Sequence, residues 1–319
     1  MLVKIVIVGA GAVGSLLGAL LQEGGLTVLL IGRPAHVAAI QRDGLRVSGP
    51  RPRVVRLEAA ASIPPSTEAD GVLVTTKTIG LSAAATGLAR ALSPRPVLFL
   101  QNGLGILASA RAALIEGGWR DPGAYAVQGV NSIPATWVGP GEVRETGVGE
   151  ILLPVPGEAG AAAGAARLFR MLLEGAKLPV EAVPEFEREV WRKALVNAAI
   201  NPVTAVRGIR NGLLLEEESP RTEALELLGE ALAVARAAGF GFTSEEITRD
   251  FERIVRATAQ NRSSMLQDID HGRPTEIEAI SGEILRSAEA LGLELPATRR
   301  IVAAVLARSA RTRPRPQPS

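Results

Sequence analysis

Three polar side chains recur every fourth residue within the stretch Trp191–Pro202, and their types are suited to chemistry. On an α-helix, which turns about 100° per residue, Lys193, Asn197 and Asn201 fall on one face. The residues between them, 194–196 and 198–200, are all apolar, so the helix is predicted to be buried on nearly every side. An unpaired polar group in such a place costs a few kcal/mol. We therefore predict that the stripe faces a ligand. The alternative is a surface lysine with two core amides bonded to backbone.

A glycine-rich turn near the N-terminus is the second candidate site. The β-branched run Lys4–Val8 predicts a buried parallel strand and leads into the G-x-G-x-x-G sequence Gly9-Ala10-Gly11-Ala12-Val13-Gly14. In this motif the first glycine permits a tight bend, the second lets backbone approach a pyrophosphate, and the third lets helix pack on strand. A predicted helix, Ala12–Glu23, and a second strand, Thr27–Ile31, supply the βαβ context. The pattern predicts a dinucleotide site, against the alternative of a glycine turn without a ligand.

The end of the second predicted strand indicates which dinucleotide is preferred. NAD-specific sites place Asp or Glu about 20 residues beyond the glycines, where it holds the ribose 2′-hydroxyl. This chain has Gly32-Arg33-Pro34 at that place. A guanidinium can bind a 2′-phosphate through two parallel hydrogen bonds. Arg33 therefore predicts a preference for NADP.

Two further predicted strands end in polar residues. The run Gly71–Thr75 leads to Lys77, and the run Val97–Leu100 leads to Asn102-Gly103. Ligands of an open parallel sheet bind beyond the carboxyl ends of its strands, so Lys77 and Asn102 are expected on the same edge as the glycine turn. Asn-Gly also forms hairpin turns, but the helical pattern Ile106–Leu114 that follows favours a strand-to-helix loop.

The pattern of the chain changes near Pro184. Before it strands and helices alternate, with Tyr125–Leu153 expected to add antiparallel strands to the sheet edge; from there to residue 310 nearly everything is predicted to be helical. The predicted fold is an α/β N-terminal Rossmann-type doubly wound sheet followed by an all-α C-terminal domain. The predicted domains are 1–183, which binds NADP, 184–310, which holds the substrate and catalytic groups, and 311–319, a disordered tail.

Local signals bound the helices of the second domain. The opening helix is expected to span Glu185–Ile200 and to end before the Asn-Pro pair that follows. Thr243-x-x-Glu246 is a capping box for a long helix that is expected to reach Asp268. Such a helix would place Asn261 and Ser264 on one face.

Composition narrows the class of protein. The chain has 319 residues, a formal net charge of +2 and 3% aromatic residues, which gives nucleic-acid binding little support. Zero cysteine excludes disulfides, thiolate metal sites and a cysteine nucleophile, and a reducing cytoplasmic setting is expected. Neither His36 nor His271 has a partner at metal-ligand spacing, so no metal is expected. The uncharged run Ile5–Gln22 contains the glycine motif, which argues against a membrane segment.

Taken together, these motifs resemble those of the ketopantoate reductase (2-dehydropantoate 2-reductase) family. The resemblance runs in order from about Lys4 to Arg308 and rests on Gly9–Gly14, Arg33, Lys77, Asn102-Gly103, Trp191–Pro202, Asn261-x-x-Ser264-Met-Leu-Gln-Asp268 and Thr275-Glu276-Ile277. It implies an NADPH-binding Rossmann domain and an all-helical domain, with the active site in the cleft between them. It also implies reduction of the 2-oxo group of ketopantoate in pantothenate and coenzyme A synthesis.

The resemblance further implies a role for each motif residue. Lys193 would donate the proton, and Glu276 would lie near both the substrate hydroxyl and the nicotinamide ribose. The cofactor-binding residues would be Gly9, Ala10, Gly11, Ala12, Val13, Gly14, Arg33, Lys77, Asn102, Ala135 and Glu276. The substrate-binding residues would be Lys193, Asn197, Asn201, Asn211, Asn261, Ser263 and Ser264. The segments around Ala135 and Asn211 match the family less closely than their neighbours.

Elementary chemistry agrees with the role of Lys193. Hydride transfer to a ketone leaves an alkoxide, which needs a positioned proton donor and local positive charge. Lys193 is the only lysine of the predicted helical domain, and partial burial makes an ammonium proton easier to release. Glu276 is a plausible orienting partner, against the alternative of an ordinary acidic residue in a first helical turn.

Two other functions fit the same residues. One is a reductase of the same fold that acts on another 2-oxo acid, because the sequence does not reveal the shape of the substrate pocket. The other is a catalytically silent NADP-sensing module, which would need the glycine turn but neither Lys193 nor Glu276. The expected partner is a small-molecule 2-oxo acid, with no nucleic acid and no membrane, and the apolar helical domain offers a surface for a homodimer.

Overall fold

The structure, a computed structural model, describes residues 3–312. Its contacts divide the chain into two compact units, Met1–Phe186 and Glu187–Ser319. The predicted boundary after residue 183 falls at the end of the last strand of the first unit. Which unit binds NADP and which binds substrate stays a prediction. Within the predicted tail, Arg311 and Thr312 are helical, and the remaining residues lie outside the described part.

All strands of the described chain belong to the first unit. In chain order, β1 to β13 are Lys4–Val8, Thr27–Ile31, Leu45–Ser48, Arg53–Val55, Glu58–Ala60, Gly71–Val74, Val97–Phe99, Ala126–Gln128, Val130–Asn131, Ala135–Gly139, Glu142–Glu145, Ile151–Pro154 and Val180–Val183. The first two strands have the bounds that the sequence predicts, because each is a short β-branched run closed by glycine.

The central sheet has six parallel strands in the order β5-β2-β1-β6-β7-β8. This order winds outward in both directions from β1, as in doubly wound dinucleotide-binding folds. Successive side chains of a strand point to opposite faces of a sheet, so Ile5 and Ile7 join one apolar core and Val6 and Val8 join the other. Both faces are covered, which explains why these strands are apolar throughout. The predicted doubly wound sheet is confirmed.

The segment Tyr125–Leu153 departs from the prediction. Only β8 joins the central sheet, and it runs parallel to β7. Strands β10 and β11 form a second sheet with β3 and β4, while β9 and β12 form a third with β13. The expectation of antiparallel additions to the central edge is wrong, because alternation along a strand indicates that it is a strand but does not indicate its partner.

The described chain contains twelve α-helices, seven of them in or entering the second unit. In chain order, α1 to α12 are Ala12–Glu23, Pro34–Asp43, Leu81–Ala91, Ile106–Glu116, Ala163–Gly175, Phe186–Arg207, Leu213–Glu216, Glu218–Ala237, Ser244–Ala257, Ser264–Asp270, Glu283–Ala290 and Pro296–Thr312. A π-helical turn, Glu278–Gly282, precedes α11. The predicted all-helical second half is confirmed.

In helix α9 the predicted N-terminal capping box is confirmed and the predicted C-terminal end is wrong. The Thr243 hydroxyl accepts a hydrogen bond from the Glu246 N–H at 3.0 Å, so the capping box is present. The helix ends at Ala257 rather than at Asp268, and a new helix begins after Ser263. The apolar periodicity of α9 stops at Ala257, and Ser263 is the N-cap of a second helix. The prediction of one long helix is therefore wrong.

Helix α6 runs past the place where it was expected to end. Pro202 lies inside it, and the helix continues to Arg207. A proline in a helix interior costs about 3 kcal/mol, because it removes one backbone donor and crowds the preceding turn. Beyond it Val203 and Ala205 are fully buried, and that burial offsets the local cost. The expectation of an end at Ile200 is therefore wrong.

Candidate active site

The three glycines of the motif are needed for different physical reasons. A Cβ on Gly9, whose φ is +118°, would lie 2.5 Å from the Thr76 nitrogen, and a Cβ on Gly14 would lie 2.2 Å from the Gly9 oxygen. These two glycines are required by packing within the chain. A Cβ on Gly11 would meet nothing within 4 Å. The protein leaves space on this side of the turn, beside the amides of Ala12 and Val13 that open α1.

Hydrogen bonds connect the glycine turn to the ends of β6 and β7. The Thr75 hydroxyl donates to the Gly9 carbonyl at 2.9 Å, and the Thr78 hydroxyl donates to the Asn102 carbonyl at 3.0 Å. The buried Gln101 amide donates to the Val74 and Thr76 carbonyls at 2.9 and 3.1 Å. The loop that contains Lys77 therefore lies on the same edge as the glycine turn and Asn102, as expected from the strand ends. Sequence reasoning missed Gln101, although its place directly after a buried strand was a signal.

Arg33 and Ala135 occupy different parts of the first unit. Arg33 is exposed and directly precedes α2, and its neighbour Gly32 packs so closely on Ala10 that an added Cβ would lie 2.4 Å from the alanine Cβ. The backbone of Arg33 therefore lies next to a residue that packs on the glycine turn. Ala135 is half-buried and opens β10, the strand that packs against α1. The predicted contacts of both residues with the cofactor stay predictions.

His36 fixes the start of α2 close to Arg33. Its Nδ1 accepts a hydrogen bond from the Gly141 N–H at 2.8 Å, so its remaining proton is on Nε2, which lies 3.0 Å from the Ser15 hydroxyl. Burial, and secondarily the charge of Arg33, lowers the pKa of His36 from 6.5 to about 4. The ring is therefore neutral at physiological pH.

Acidification is expected to destabilise the first unit through His36. Because the folded pKa lies below the unfolded one, its contribution is complete above about pH 6.5 and is lost as the pH falls towards 4. The variant His36→Asn keeps an acceptor for the Gly141 N–H but cannot be protonated. Between pH 7 and pH 4.5 we expect its free energy of unfolding to fall by about 1–2 kcal/mol less than that of the wild type. Urea unfolding at both pH values measures the difference. Equal losses in the two proteins would contradict a buried neutral histidine.

The polar stripe lies on α6, as predicted. Residues 194–196 and 198–200 are buried, while Lys193 and Asn197 are partly buried and Asn201 is 7% exposed. Between Lys193 and Asn201 the helix is thus enclosed nearly all round, and the stripe supplies the only polar side chains of that stretch. This arrangement favours the ligand-facing interpretation over that of a surface lysine.

Lys193 and Glu276 interact electrostatically. Burial lowers the pKa of the Lys193 ammonium from 10.5 to about 8, and the negative charge of Glu276 opposes that shift. Glu276 is partly buried, and its carbonyl accepts hydrogen bonds from the Ala279 and Ile280 N–H groups at the start of the π-helical turn. An ammonium with a pKa near 8 can donate a proton at physiological pH.

Asn211 is held by the segment that contains Asn261. Its backbone N–H donates to the Asn261 carbonyl at 3.0 Å, and its Nδ2 donates to the Thr258 hydroxyl at 2.9 Å. That hydroxyl gives its only proton to the Ile254 carbonyl, which fixes the orientation of the Asn211 amide. Asn211 Oδ1 is buried and has no hydrogen-bond partner among the described residues.

Ser263 and Ser264 differ in their surroundings. Ser264 is exposed and opens α10, and Asn261 is exposed in the link before it. Ser263 is 5% exposed, and its hydroxyl accepts a hydrogen bond from the Leu266 N–H and lies 2.7 Å from the Thr204 hydroxyl. Thr204 was not singled out from the sequence, because a threonine within an apolar helical run resembles many others.

The contacts of the described residues thus gather the predicted residues into separate groups. In the first unit they join the glycine turn, the Lys77 loop and Asn102. In the second unit they join Lys193 with Glu276, Asn211 with Asn261, and Ser263 with α6. Within residues 3–312 no cluster of three or more His, Cys, Asp or Glu side chains is arranged to hold a metal ion. None of the helices in that range has the length and apolarity needed to cross a membrane.

Two models of known protein families match the chain. The model described as Ketopantoate reductase PanE/ApbA matches residues 5–157. The model described as Ketopantoate reductase PanE/ApbA C terminal matches residues 185–309. The first match lies within the first compact unit, and the second covers most of the second unit.

Proteins named 2-dehydropantoate 2-reductase are similar over most of their length. The one from Pyrococcus abyssi is 32% identical over 296 residues, which cover 92% of this chain and 93% of that protein. The one from Halobacterium salinarum is 33% identical over 299 residues, which cover 93% of this chain and 95% of that protein.

Solved structures share the fold. The crystal structure of a PanE/ApbA family ketopantoate reductase from Ralstonia eutropha JMP134 aligns with a TM-score of 0.85 at 30% identity, over 97% of this chain and 99% of that one. The ternary structure of D-mandelate dehydrogenase with NADH and anilino(oxo)acetate aligns with a TM-score of 0.87 at 25% identity, over the same shares. Both similarities extend over nearly the whole of each chain.

Proposed function

Since this chain belongs to the ketopantoate reductase family, whose members are oxidoreductases, we propose that it reduces the 2-oxo group of 2-dehydropantoate to the hydroxyl of pantoate with NADPH. The observation that supports this most directly is the environment of Lys193. Its ammonium lies on the polar side of a buried helix, interacts with Glu276 and has a pKa of about 8. A sensor that only bound the nucleotide would not need this pair.

The first unit would hold the cofactor. Gly11 leaves an open side where the pyrophosphate would lie, the amides of Ala12 and Val13 would bind it, and Arg33 would bind the 2′-phosphate. Lys77 and Asn102 lie on the same edge and would contact the rest of the dinucleotide. When bound there, NADPH supplies the hydride.

The second unit would hold the substrate and move the proton. As the 2-oxo carbon is reduced, negative charge develops on its oxygen, and Lys193 Nζ stabilises that charge and donates its proton there. Asn197, Asn201 and Asn211 are neutral groups that can bind a carboxylate and hydroxyls without neutralising the ammonium. Glu276 keeps Lys193 protonated, because its negative charge raises the pKa of the lysine.

An NADPH oxidation assay tests this proposal. The purified protein is supplied with 2-dehydropantoate and, in parallel, with 2-oxo acids that lack its hydroxyl or differ in bulk. We expect kcat/KM to be highest for 2-dehydropantoate, at about 10⁴ M⁻¹s⁻¹ or more, as is ordinary for an enzyme with its own substrate. Turnover of none of these acids would exclude a reductase of this class.

A second candidate substrate class follows from the alignment with D-mandelate dehydrogenase, which has a TM-score of 0.87. That similarity favours a reductase of another 2-oxo acid, such as one with an aromatic substituent. The same assay separates the two, because an aromatic 2-oxo acid would then exceed 2-dehydropantoate in kcat/KM.

The cofactor preference is expected to depend on Arg33. Arg33→Asp replaces a guanidinium that would bind the 2′-phosphate with a carboxylate that repels it. We expect the ratio of kcat/KM with NADPH to that with NADH to fall about 100-fold or more. Arg42→Asp, an exposed substitution in the last turn of α2, is the control that should leave the ratio unchanged. A ratio that Arg33→Asp does not alter would rule out this basis for NADP selection.

Glu276 is expected to set the upper pH limit of the reaction. Since Lys193 acts as an acid, kcat/KM should decline as the pH rises through its pKa of about 8. Glu276→Gln removes the charge that raises this pKa, so the decline should begin about one pH unit lower. The profile of kcat/KM from pH 6 to 10 measures it, and a decline that moves to higher pH would contradict the proposed pairing.

A further inference from the structure

A pair of buried hydroxyls connects α6 to the N-terminus of α10. Thr204 is fully buried, Ser263 is 5% exposed, and their oxygens are 2.7 Å apart. We propose that this pair is a positioning device for the substrate site, and that Thr204 is a positioning residue for the reaction. The inference rests on the proposed function.

Each hydroxyl of the pair also bonds to its own segment. The Thr204 oxygen lies 2.8 Å from the Ile200 carbonyl and 3.1 Å from the Asn201 carbonyl. The Ser263 oxygen lies 2.7 Å from the Thr204 oxygen, so the two hydroxyls are hydrogen-bonded to each other. The Ser263 oxygen also accepts from the Leu266 N–H at 3.2 Å. The network thus joins the first turn of α10 to the backbone of α6.

The network joins the two segments that carry most of the proposed substrate contacts. Asn197 and Asn201 lie on α6, and the Asn201 carbonyl is one of the Thr204 acceptors. Asn261 and Ser264 flank Ser263 in the other segment. A hydroxyl pair between the segments holds the two sets of polar groups in a fixed relation. Misplacement of such groups by a fraction of an ångström lowers affinity for a polar substrate.

Pro202 weakens the turn of α6 that contains Thr204, and the hydroxyl pair supports that turn. The proline removes one backbone hydrogen bond from α6 two residues before Thr204, so this turn has less support from its own ladder. A threonine that bonds back to the preceding turn also tends to bend a helix. The Ser263 hydroxyl supplies an external partner at this point. That hydroxyl is bonded both to Thr204 and to the Leu266 N–H, so it can transmit the position of α10 to α6.

Kinetics of Thr204 variants test the proposal. Thr204→Val keeps the shape of the side chain but leaves the Ser263 hydroxyl without its hydrogen-bond partner on α6. We expect KM for the 2-oxo acid that the wild type reduces best to rise about 10-fold, while Kd for NADPH changes by less than about twofold. Thr204→Ser should restore KM to within about threefold of the wild type. Thr298→Val removes another buried hydroxyl, which bonds Glu230 at 2.7 Å, and should leave KM unchanged.

A double-mutant cycle supports the kinetic test. Ser263→Ala breaks the same network from the other side, and its effect on KM should not add to that of Thr204→Val if the two hydroxyls act as one unit. A Thr204→Val protein with a lower melting temperature but wild-type KM would reduce the pair to ordinary core structure and overturn the inference. Independent, additive effects on KM would also overturn it.

Hydrogen exchange separates this inference from the proposed function. In the full chain without ligand, Thr204→Val should speed exchange of the amides in 261–266 about 10-fold relative to Thr204→Ser. A wild type that reduces no 2-oxo acid would end the proposed function, whereas the exchange rates would still decide whether the pair holds these segments together. Equal exchange in the two variants would refute the positioning role whatever the substrate proves to be.

Discussion

Lys193→Ala is expected to lower kcat by about 10²–10⁴, the range that a positioned general acid contributes. The variant loses both the proton donor and the positive charge that faces the developing alkoxide. Kd for NADPH should stay within about twofold, because the glycine turn and Arg33 belong to the other unit. Single-turnover measurements with preformed NADPH complex, together with NADPH titration, give the two quantities. Loss of NADPH binding in parallel with kcat would mean that the lysine has a structural role.

Two matched variants separate the two roles of Lys193, proton donation and stabilisation of negative charge. Lys193→Arg keeps the positive charge but carries a group that does not release its proton near neutral pH, so any activity it keeps measures charge stabilisation alone. Lys193→Met keeps most of the apolar stem in the partly buried site and removes both functions, so it should resemble Lys193→Ala in kcat but not in stability. A Lys193→Arg protein with wild-type kcat and an unchanged pH profile would contradict proton donation by this residue.

Gly11→Ala is expected to weaken NADPH binding about 10–100-fold without destabilising the protein. A Cβ at this position meets nothing within 4 Å, and the backbone φ of −86° suits any residue, so the folded chain accommodates it. The added methyl occupies the space into which the pyrophosphate would fit, and overpacking of this kind costs about 1–3 kcal/mol. Titration of NADPH fluorescence measures the affinity, and denaturant unfolding without ligand measures the stability.

Gly14→Ala is the matched control for that prediction. Its Cβ would lie 2.2 Å from the Gly9 oxygen and 2.3 Å from the Thr75 hydroxyl. We expect the free energy of unfolding to fall by about 2–3 kcal/mol, because these atoms belong to the tightly packed sheet edge and cannot move apart without strain. If Gly11→Ala destabilised the protein as much as Gly14→Ala and bound NADPH normally, the open side of the turn would not be a cofactor site.

Much of the first unit was readable from local patterns. The strand Lys4–Val8, the helix Ala12–Glu23 and the strand Thr27–Ile31 have the bounds that the sequence predicts. Each is specified by its own residues: a β-branched run that is buried on both faces, and glycines where the chain must turn tightly. The polar stripe on α6 was equally readable, because helical spacing alone puts Lys193, Asn197 and Asn201 on one face.

Local reasoning failed where distant packing outweighed local preference. Pro202 signals the end of a helix, yet α6 continues because the residues beyond it are buried. The capping box at Thr243 was correct, but the same pattern gave no sign that α9 ends at Ala257 and that Ser263 caps a new helix. The sheet to which the strands of 125–153 belong was also misjudged, since β11 and β12 each pair with a strand outside that segment.

The order of residues was enough to specify which chemical groups are available, because residue type and helical or strand periodicity are local properties. It specified a glycine turn for a dinucleotide, an arginine after the second strand and an ammonium on a buried polar face. Which of these groups act together depends on the folded chain. The charge of Glu276 near Lys193 and the Thr204–Ser263 hydroxyl pair arise from contacts between distant segments, which are 59 residues apart in the case of the hydroxyls. The pKa of Lys193 is near 8 rather than 10.5 because folding removes water from that amine, and no local pattern encodes desolvation.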